Sequence, residues 1–159
     1  MGYFLKEDLE TLDRKIKETK KEIEKALREI GESCQQGAET SHDNPGYEEG
    51  QRAAAMWSNH LRQLLLVRRE ASLVEYTPLP TDGKVRIGCL VTVKYLDTGE
   101  EKSFRVGSAM IFDNTGTSVS YMAPLGQAVL GITIGDIVEV TIGDKRKRLL
   151  LLNVQWERR

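Results

Sequence analysis

Gln35-Gln36-Gly37-Ala38-Glu39-Thr40-Ser41-His42-Asp43-Asn44-Pro45-Gly46-Tyr47-Glu48-Glu49 separates two long apolar-periodic segments and cannot continue either of them as a helix. Gly37 and Gly46 loosen the backbone, and Pro45 disfavours helical dihedrals for Asn44 before it. Two helices joined by a short break fold back on each other. The stretch is therefore expected to form the tip of an antiparallel helical hairpin. It is polar and rich in oxygen donors, as a tip built to reach something would be.

Before the break, Leu5, Leu9, Leu12, Ile16, Thr19, Ile23, Ala26 and Ile30 recur at alternating steps of four and three, the spacing of a coiled-coil seam. Charged residues fill most positions between them, as on a solvated face. The segment from Phe4 to Ser33 is about 30 residues, a rod on the order of 45 Å at 1.5 Å per residue. So polar a helix needs a partner. After the break, Tyr47, Gly50, Ala54, Trp57, Leu61, Leu64, Arg68 and Ala71 repeat the spacing, and the second helix is expected to run to Leu73. Trp57 reads as a packing anchor. His60 falls just outside the seam and reads as a surface residue.

Past a linker marked by Pro78, Pro80 and Asp82-Gly83, the apolar period changes from helical to two. Val91, Val93 and Tyr95 share one face of a strand, Asp97-Thr98-Gly99-Glu100 reads as a hairpin turn, and Phe104 and Val106 continue the alternation. Thr117 to Met122 reads as a further strand. Pro124 to Leu130 reads as a short helix, with proline at its first position and Gly131 at its stop. Gly135 to Ile142 and Lys147 to Trp156 make a final antiparallel pair around Gly143-Asp144. The expected fold class is α+β: a helical-hairpin arm over residues 1–76, its tip at 35–49, then a small, mostly antiparallel β domain with one short helix over 77–159.

Composition sets bounds on function. Of 159 residues, 30% are charged and 6% aromatic, and the net charge of −1 gives no global reason to bind nucleic acid or membrane. Cys34 and Cys89 lie in different expected domains with no CxxC pair, and read as free thiols in a reducing cytosol. The N-terminus lacks the apolar core of a signal peptide, and no run approaches the roughly 20 apolar residues of a membrane span. A cytoplasmic protein without membrane contact is expected.

Two features together resemble the bacterial GreA/GreB transcript-cleavage factor family. One is the order of a long helical hairpin and then a small β domain. The other is sequence: Gly83-Lys84-Val85-Arg86-Ile87-Gly88-Cys89-Leu90-Val91-Thr92-Val93 looks like the family's entry into its second domain. Ala123-Pro124-Leu125-Gly126-Gln127-Ala128-Val129-Leu130-Gly131 and Gly135-Asp136-Ile137-Val138-Glu139-Val140 look like its Ser-Pro-Leu-Gly and Gly-Asp-x-Val-x-Val signature. The resemblance implies an FKBP-like β domain that docks on RNA polymerase beside the secondary channel, with Ala123, Pro124, Leu125 and Gly126 at the contact. It implies a monomer that meets nascent RNA and DNA within the elongation complex. It also implies an accessory factor with no catalytic residues of its own and no stably bound cofactor. Tip carboxylates would help hold the weakly bound magnesium of the polymerase active site, a hard cation served by oxygen ligands.

The tip departs from the family's pattern of Gly-Asp-Leu-Ser-Glu-Asn-x-Glu-Tyr. Anchored on Asn44 and Tyr47, the second family acid falls on Asp43 and the first on Thr40, which carries no carboxylate. Glu39 is one position off and His42 is an added potential ligand. Tip residues are thus Asp43, Glu39, Asn44 and His42, with Asp43 the metal ligand in complex with polymerase. Asp43 and Asn44 also read as caps of the second helix, and Glu48 and Glu49 suit its first turn through the macrodipole. Ala123 replaces the family's serine, removing a hydroxyl that could cap the short helix. Lys145-Arg146-Lys147-Arg148 and Arg158-Arg159 read either as a solvated turn and terminus or as contacts to nucleic-acid phosphate or an acidic polymerase surface. Three functions stay open: a cleavage-stimulating factor, a channel-occupying regulator without cleavage, and an FKBP-like peptidyl-prolyl isomerase. The last rests on fold analogy, since Tyr95, Phe104, Phe112, Tyr121 and Trp156 are too scattered to argue a pocket.

Overall fold

The computed structural model describes residues 1–36, 44–77 and 79–156. The elements run β1 (Gly2–Phe4), α1 (Lys6–Gln36), α2 (Pro45–Glu70), β2 (Ala71–Leu73), β3 (Cys89–Tyr95), β4 (Glu101–Gly107), β5 (Ser118–Ser120), α3 (Pro124–Val129), β6 (Ile137–Ile142) and β7 (Lys145–Trp156). A helical hairpin is followed by a β-sheet domain. The chain divides into two compact units, Glu10–Glu70 and a second made of Met1–Leu9 with Ala71–Arg159.

In the helical unit the expected seam is the packed face. Leu12, Ile16, Thr19 and Ala26 are buried on α1, and Gly50 and Leu64 on α2. Thr19 is tolerated there because its hydroxyl donates to the Lys15 carbonyl at 2.8 Å, leaving its methyl for the seam. Arg68 lies in the seam because its guanidinium donates to both carboxylate oxygens of Asp13, at 2.6 and 3.4 Å. That pair is about 40% exposed on each side, so it fixes register more than it adds stability. An added Cβ on Gly50 would lie 2.6 Å from the Ile30 side chain. With Asp13 beside Arg68 and Ile30 beside Gly50, the helices are antiparallel, and Ile16 comes level with Leu64.

The β unit is built on a five-stranded sheet ordered β5-β4-β3-β7-β6. β3 pairs antiparallel with β4 and β7, and β6 with β7, as the alternating pattern predicts. A register shift at Thr92/Val93 interrupts the β3–β7 ladder. The core face carries Val91, Val93, Tyr95, Phe104, Val106, Leu149 and Leu151, against which α3 sets Leu125 and Val129. The expected turn after β3 is closed by Gly99 N–H to the Tyr95 carbonyl at 2.7 Å, with Gly99 at φ 73°. β5 joins β4 in parallel, within a sheet whose other pairs are antiparallel, as a mostly antiparallel domain allows. The connection between them is organised by Asp113. Its carboxylate accepts from the Thr115 hydroxyl and N–H, Thr117 and Ser118, at 2.6 to 3.1 Å, and these bonds hold its carboxyl well below the usual range.

The chain's first residues differ most from expectation. Phe4 does not open a helix and Ala71–Leu73 do not end one. These residues form β1 and β2, a parallel pair with Gly2 opposite Ala71 and Phe4 opposite Leu73. The expected boundary between 76 and 77 therefore differs from the division into compact units, which assigns Met1–Leu9 and Ala71–Leu73 to the β unit. Side chains fasten this entry. Leu5 N–H donates to the Ser108 hydroxyl at 2.9 Å, Ser108 donates on to Asp8, and Arg105, 8% exposed, pairs with Glu7. Phe4 is wholly buried.

Phe4→Ala is expected to lower the stability of the β unit by about 3–5 kcal/mol, the usual cost of emptying a buried phenylalanine site. Chemical denaturation of the whole chain measures it. A loss under about 1 kcal/mol would show that the N-terminal strand is not an integral part of that unit.

Candidate functional site

Three places in the chain carry the sequence-derived site residues: the junction of α1 and α2, the turn into α3, and the start of β7. At the junction, residues 37–43 lie outside the described residues, and with them Glu39, Thr40, His42 and Asp43. Asn44 is described, and its amide is fully engaged. Its Oδ1 accepts the Gly46 N–H at 3.1 Å, the bond of a helix N-cap, with Pro45 at the first helical position. Its Nδ2 donates to the Ser33 carbonyl at 3.0 Å, tying the start of α2 to the last turns of α1. Of the two capping candidates, Asn44 does the capping.

The helices close tightly here because of two glycines. A Cβ on Gly46 would stand 2.9 Å from the Ser33 hydroxyl, and Gly50 faces Ile30 at 2.6 Å. Gly46, Gly50 and Ala54 fall four residues apart on one face of α2. The sequence displays that spacing, and Gly50 reads there only as one position of the seam. Glu48 lies in the first turn of α2 and pairs at 3.5 Å with Arg52, a solvated i,i+4 pair. Trp57 is half-buried, and its ring lies 6.1 Å from that of His60, which is exposed as a surface residue. Among the described residues no three His, Cys, Asp or Glu side chains converge to hold a metal ion.

The turn into α3 is shaped by backbone contact. An added Cβ on Gly126 would meet the Ser120 carbonyl oxygen at 2.1 Å and the Tyr121 Cα at 2.8 Å, so only glycine fits. Leu125 points into the core, while Pro124 and Gln127 are exposed. Ala123 is the N-cap and makes no side-chain cap. Ser120 supplies a hydroxyl instead: it accepts the Met122 N–H at 3.2 Å and donates to the Ala109 carbonyl at 3.1 Å. The four docking residues thus divide into one pair that fixes the turn, Leu125 and Gly126, and a surface pair, Ala123 and Pro124.

The basic stretch begins β7. Lys145, Arg146 and Arg148 are exposed, and Lys147 places its ammonium 5.0 Å from the centre of the Tyr95 ring. Arg146 sits 3.7 Å from Glu139, which lies opposite Arg148 in the ladder. The cluster therefore carries its own counter-charge. Arg158 and Arg159 lie outside the described residues. The aromatic rings make separate contacts: Phe104 is in the core, Tyr95 under Lys147, Trp156 against Tyr76 at 5.1 Å, and Tyr121 against Tyr3 at 6.1 Å. Cys34 is exposed and Cys89 buried, both as free thiols, and burial pushes the Cys89 thiol up.

Residues 80–155 match the family model described as "Transcription elongation factor, GreA/GreB, C-term". The chain is 30% identical over 136 residues to transcription elongation factor GreA of Thermotoga neapolitana, covering 86% of this chain and 81% of that relative. The chain belongs to the GreA/GreB family. It is a transcription elongation factor of that type. GreA of Thermotoga maritima is similar to it at 29% identity over the same length and coverage. Among solved structures, the GreA factor homolog 1 (Gfh1) protein of Thermus thermophilus aligns over 96% of this chain and 97% of its own, at 20% identity and a TM-score of 0.42. Among the described residues, no helix of this GreA/GreB-family chain is long and apolar enough to cross a membrane.

Sequence reasoning did not single out Tyr3, Arg105 or Ser108. The available signal was Tyr3-Phe4, two adjacent aromatics ahead of the seam, which a helix of this polarity would not need.

Asn44→Ala is expected to destabilise the helical unit by about 1 kcal/mol through loss of the cap. Melting of the whole chain followed by helical circular dichroism tests this, with Asn44→Asp retaining most of the stability. Equal losses in the two variants would mean that the bond to Ser33, not the cap, dominates.

Proposed function

We propose that this factor docks on RNA polymerase through the α3 turn of its β unit and presents the α1–α2 junction toward the active centre through the secondary channel. There it modulates or stimulates cleavage of backtracked RNA. The observation that carries this reading is the pairing of the two parts: a GreA/GreB C-terminal match over residues 80–155, joined to helices of 31 and 26 residues that meet at an oxygen-rich junction. The chemistry belongs to the polymerase, and the chain acts as an accessory, as a cytoplasmic monomer with no stable cofactor. Asp43 and Glu39 offer carboxylate oxygens and His42 an imidazole. The two carboxylates, rather than the imidazole, suit a hard cation whose remaining ligands are water and phosphate, which is how magnesium is held in polymerase sites. Asn44 supports the tip from behind through its cap and its tie to Ser33. Contact with nascent RNA and DNA is made at the tip, with Lys145 and Arg148 as minor phosphate contacts that would appear as salt dependence.

One observation favours a second reading. Thr40 stands where the family has its first tip acid, so a single matched carboxylate, Asp43, remains. A channel-occupying regulator that does not stimulate cleavage needs no second acid.

The deciding experiment is a cleavage assay on a backtracked elongation complex. For the cleavage factor, Asp43→Asn should abolish stimulation at unchanged polymerase binding, with partial recovery at raised magnesium. Because Asn44 supplies the cap, the same variant should melt as the wild type does. Glu39→Gln, assayed in parallel, shows whether the displaced acid serves in place of Thr40. A wild-type chain that binds polymerase yet produces no cleavage would establish the channel-occupying regulator.

A further inference from the structure

Residues 114–135 contain no charged side chain, in a chain that is 30% charged. This run includes β5, the turn and α3. Asn114, Thr115, Thr117 and Gln127 give it exposed but neutral polar groups, and at the turn itself the exposed residues are apolar: Met122 is 52% exposed and Pro124 is exposed beside it. The N-terminal strand extends the same surface. Tyr3, 46% exposed, sets its ring 6.1 Å from that of Tyr121, and its N–H donates to the Tyr121 hydroxyl at 3.1 Å. The Tyr3 carbonyl accepts the Ala109 N–H at 3.0 Å. An added Cβ on Gly2 would meet the Ala109 side chain at 2.8 Å, so only glycine lets the strand lie this close. The backbone of β1 is thus fixed on both sides, while its aromatic side chain stays half in solvent.

We infer that Tyr3 and Met122 are docking anchors that widen the α3 contact into one uncharged surface, receiving an apolar, uncharged patch of RNA polymerase. The inference rests on the docking reading above and adds residues outside the family motif. Three physical points select a protein partner of this chemistry. Interface centres are depleted of charge and enriched in tyrosine and methionine, which is the composition found here. A nucleic acid would demand cations, and residues 114–135 supply none. Tyr3 is pre-ordered by its bonds to Tyr121 and Ala109 and its place in the β1–β2 ladder, so burying its ring costs little conformational entropy. Elsewhere, exposed apolar residues such as Leu96 and Ile142 stand beside the charged start of β7 and form no comparable uncharged surface.

The test is equilibrium binding of the full chain to core RNA polymerase. Tyr3→Ser and Met122→Ser should each weaken binding by roughly 5- to 30-fold, from a contact that clearly registers up to the threshold of a hot spot. Tyr3→Phe should bind as the wild type, since it keeps the ring. Leu96→Ser should change nothing. Melting identifies any variant that loses its fold, and Tyr3→Phe with Met122→Leu then carries the comparison against the smaller Met122→Ala. Wild-type affinity in Tyr3→Ser and Met122→Ser, alongside weakened binding in Pro124→Ser, would overturn the inference and leave the docking reading standing. Unchanged affinity in all three would overturn both.

Discussion

The parallel pairing of β1 with β2 is the constraint on which this structure depends. It brings residues 2–4 beside residues 71–73 and so closes a loop of more than sixty residues. Closing so long a loop carries an entropy cost that rises only slowly with length. One ladder of three residue pairs would not offset it alone. Burial of Phe4 and the bonds from Leu5, Glu7 and Asp8 to Ser108 and Arg105 add the needed fixation. Once the ends are held side by side, everything between them must leave and return. The antiparallel pair of α1 and α2 is the simplest way to do so. The arm is thus an insertion into the β unit rather than a domain that precedes it.

The legible parts of the chain are those with a sustained period. Leu12, Ile16, Thr19 and Ala26 announce a buried helix face by spacing alone, and Val91, Val93 and Tyr95 announce a buried sheet face in the same way. The β1–β2 pair carried no such signal, because three residues are too few to show alternation and the partner lies 69 positions away. Ala71 also continued the helical spacing, so the pattern ran past the true end of α2 at Glu70. Gly50 and Arg68, a glycine and a charged residue at seam positions of the second helix, became intelligible only with coordinates. Arg68 answers Asp13, and Gly50 makes room for Ile30. At the candidate site, residue types suggested a cap at Asp43 or Asn44, and only hydrogen-bond geometry chose Asn44.

Charge is distributed unevenly along the chain. The helices are densely charged, which keeps a long exposed pair soluble. The α3 region is charge-free and rigid, held by Gly126 against Ser120 and by Leu125 in the core. Loss of the family serine at position 123 therefore does not leave the turn without a hydroxyl, because Ser120 braces it from the preceding strand. A departure that looks damaging in one position is absorbed by a neighbour three residues away.

β6 is one of the two outer strands of the sheet, and Ile137 and Ile142 are exposed along it. An open strand of that kind invites another chain to extend the sheet, the first step of aggregation. Here Asp136 and Glu139 lie at or along the strand, and Asp144 with Lys145, Arg146 and Arg148 crowds the hairpin that ends it. A copy adding at this edge would have to desolvate those charges with no matched partner. The basic stretch of β7 thereby acts as a gatekeeper of solubility, whatever else it touches.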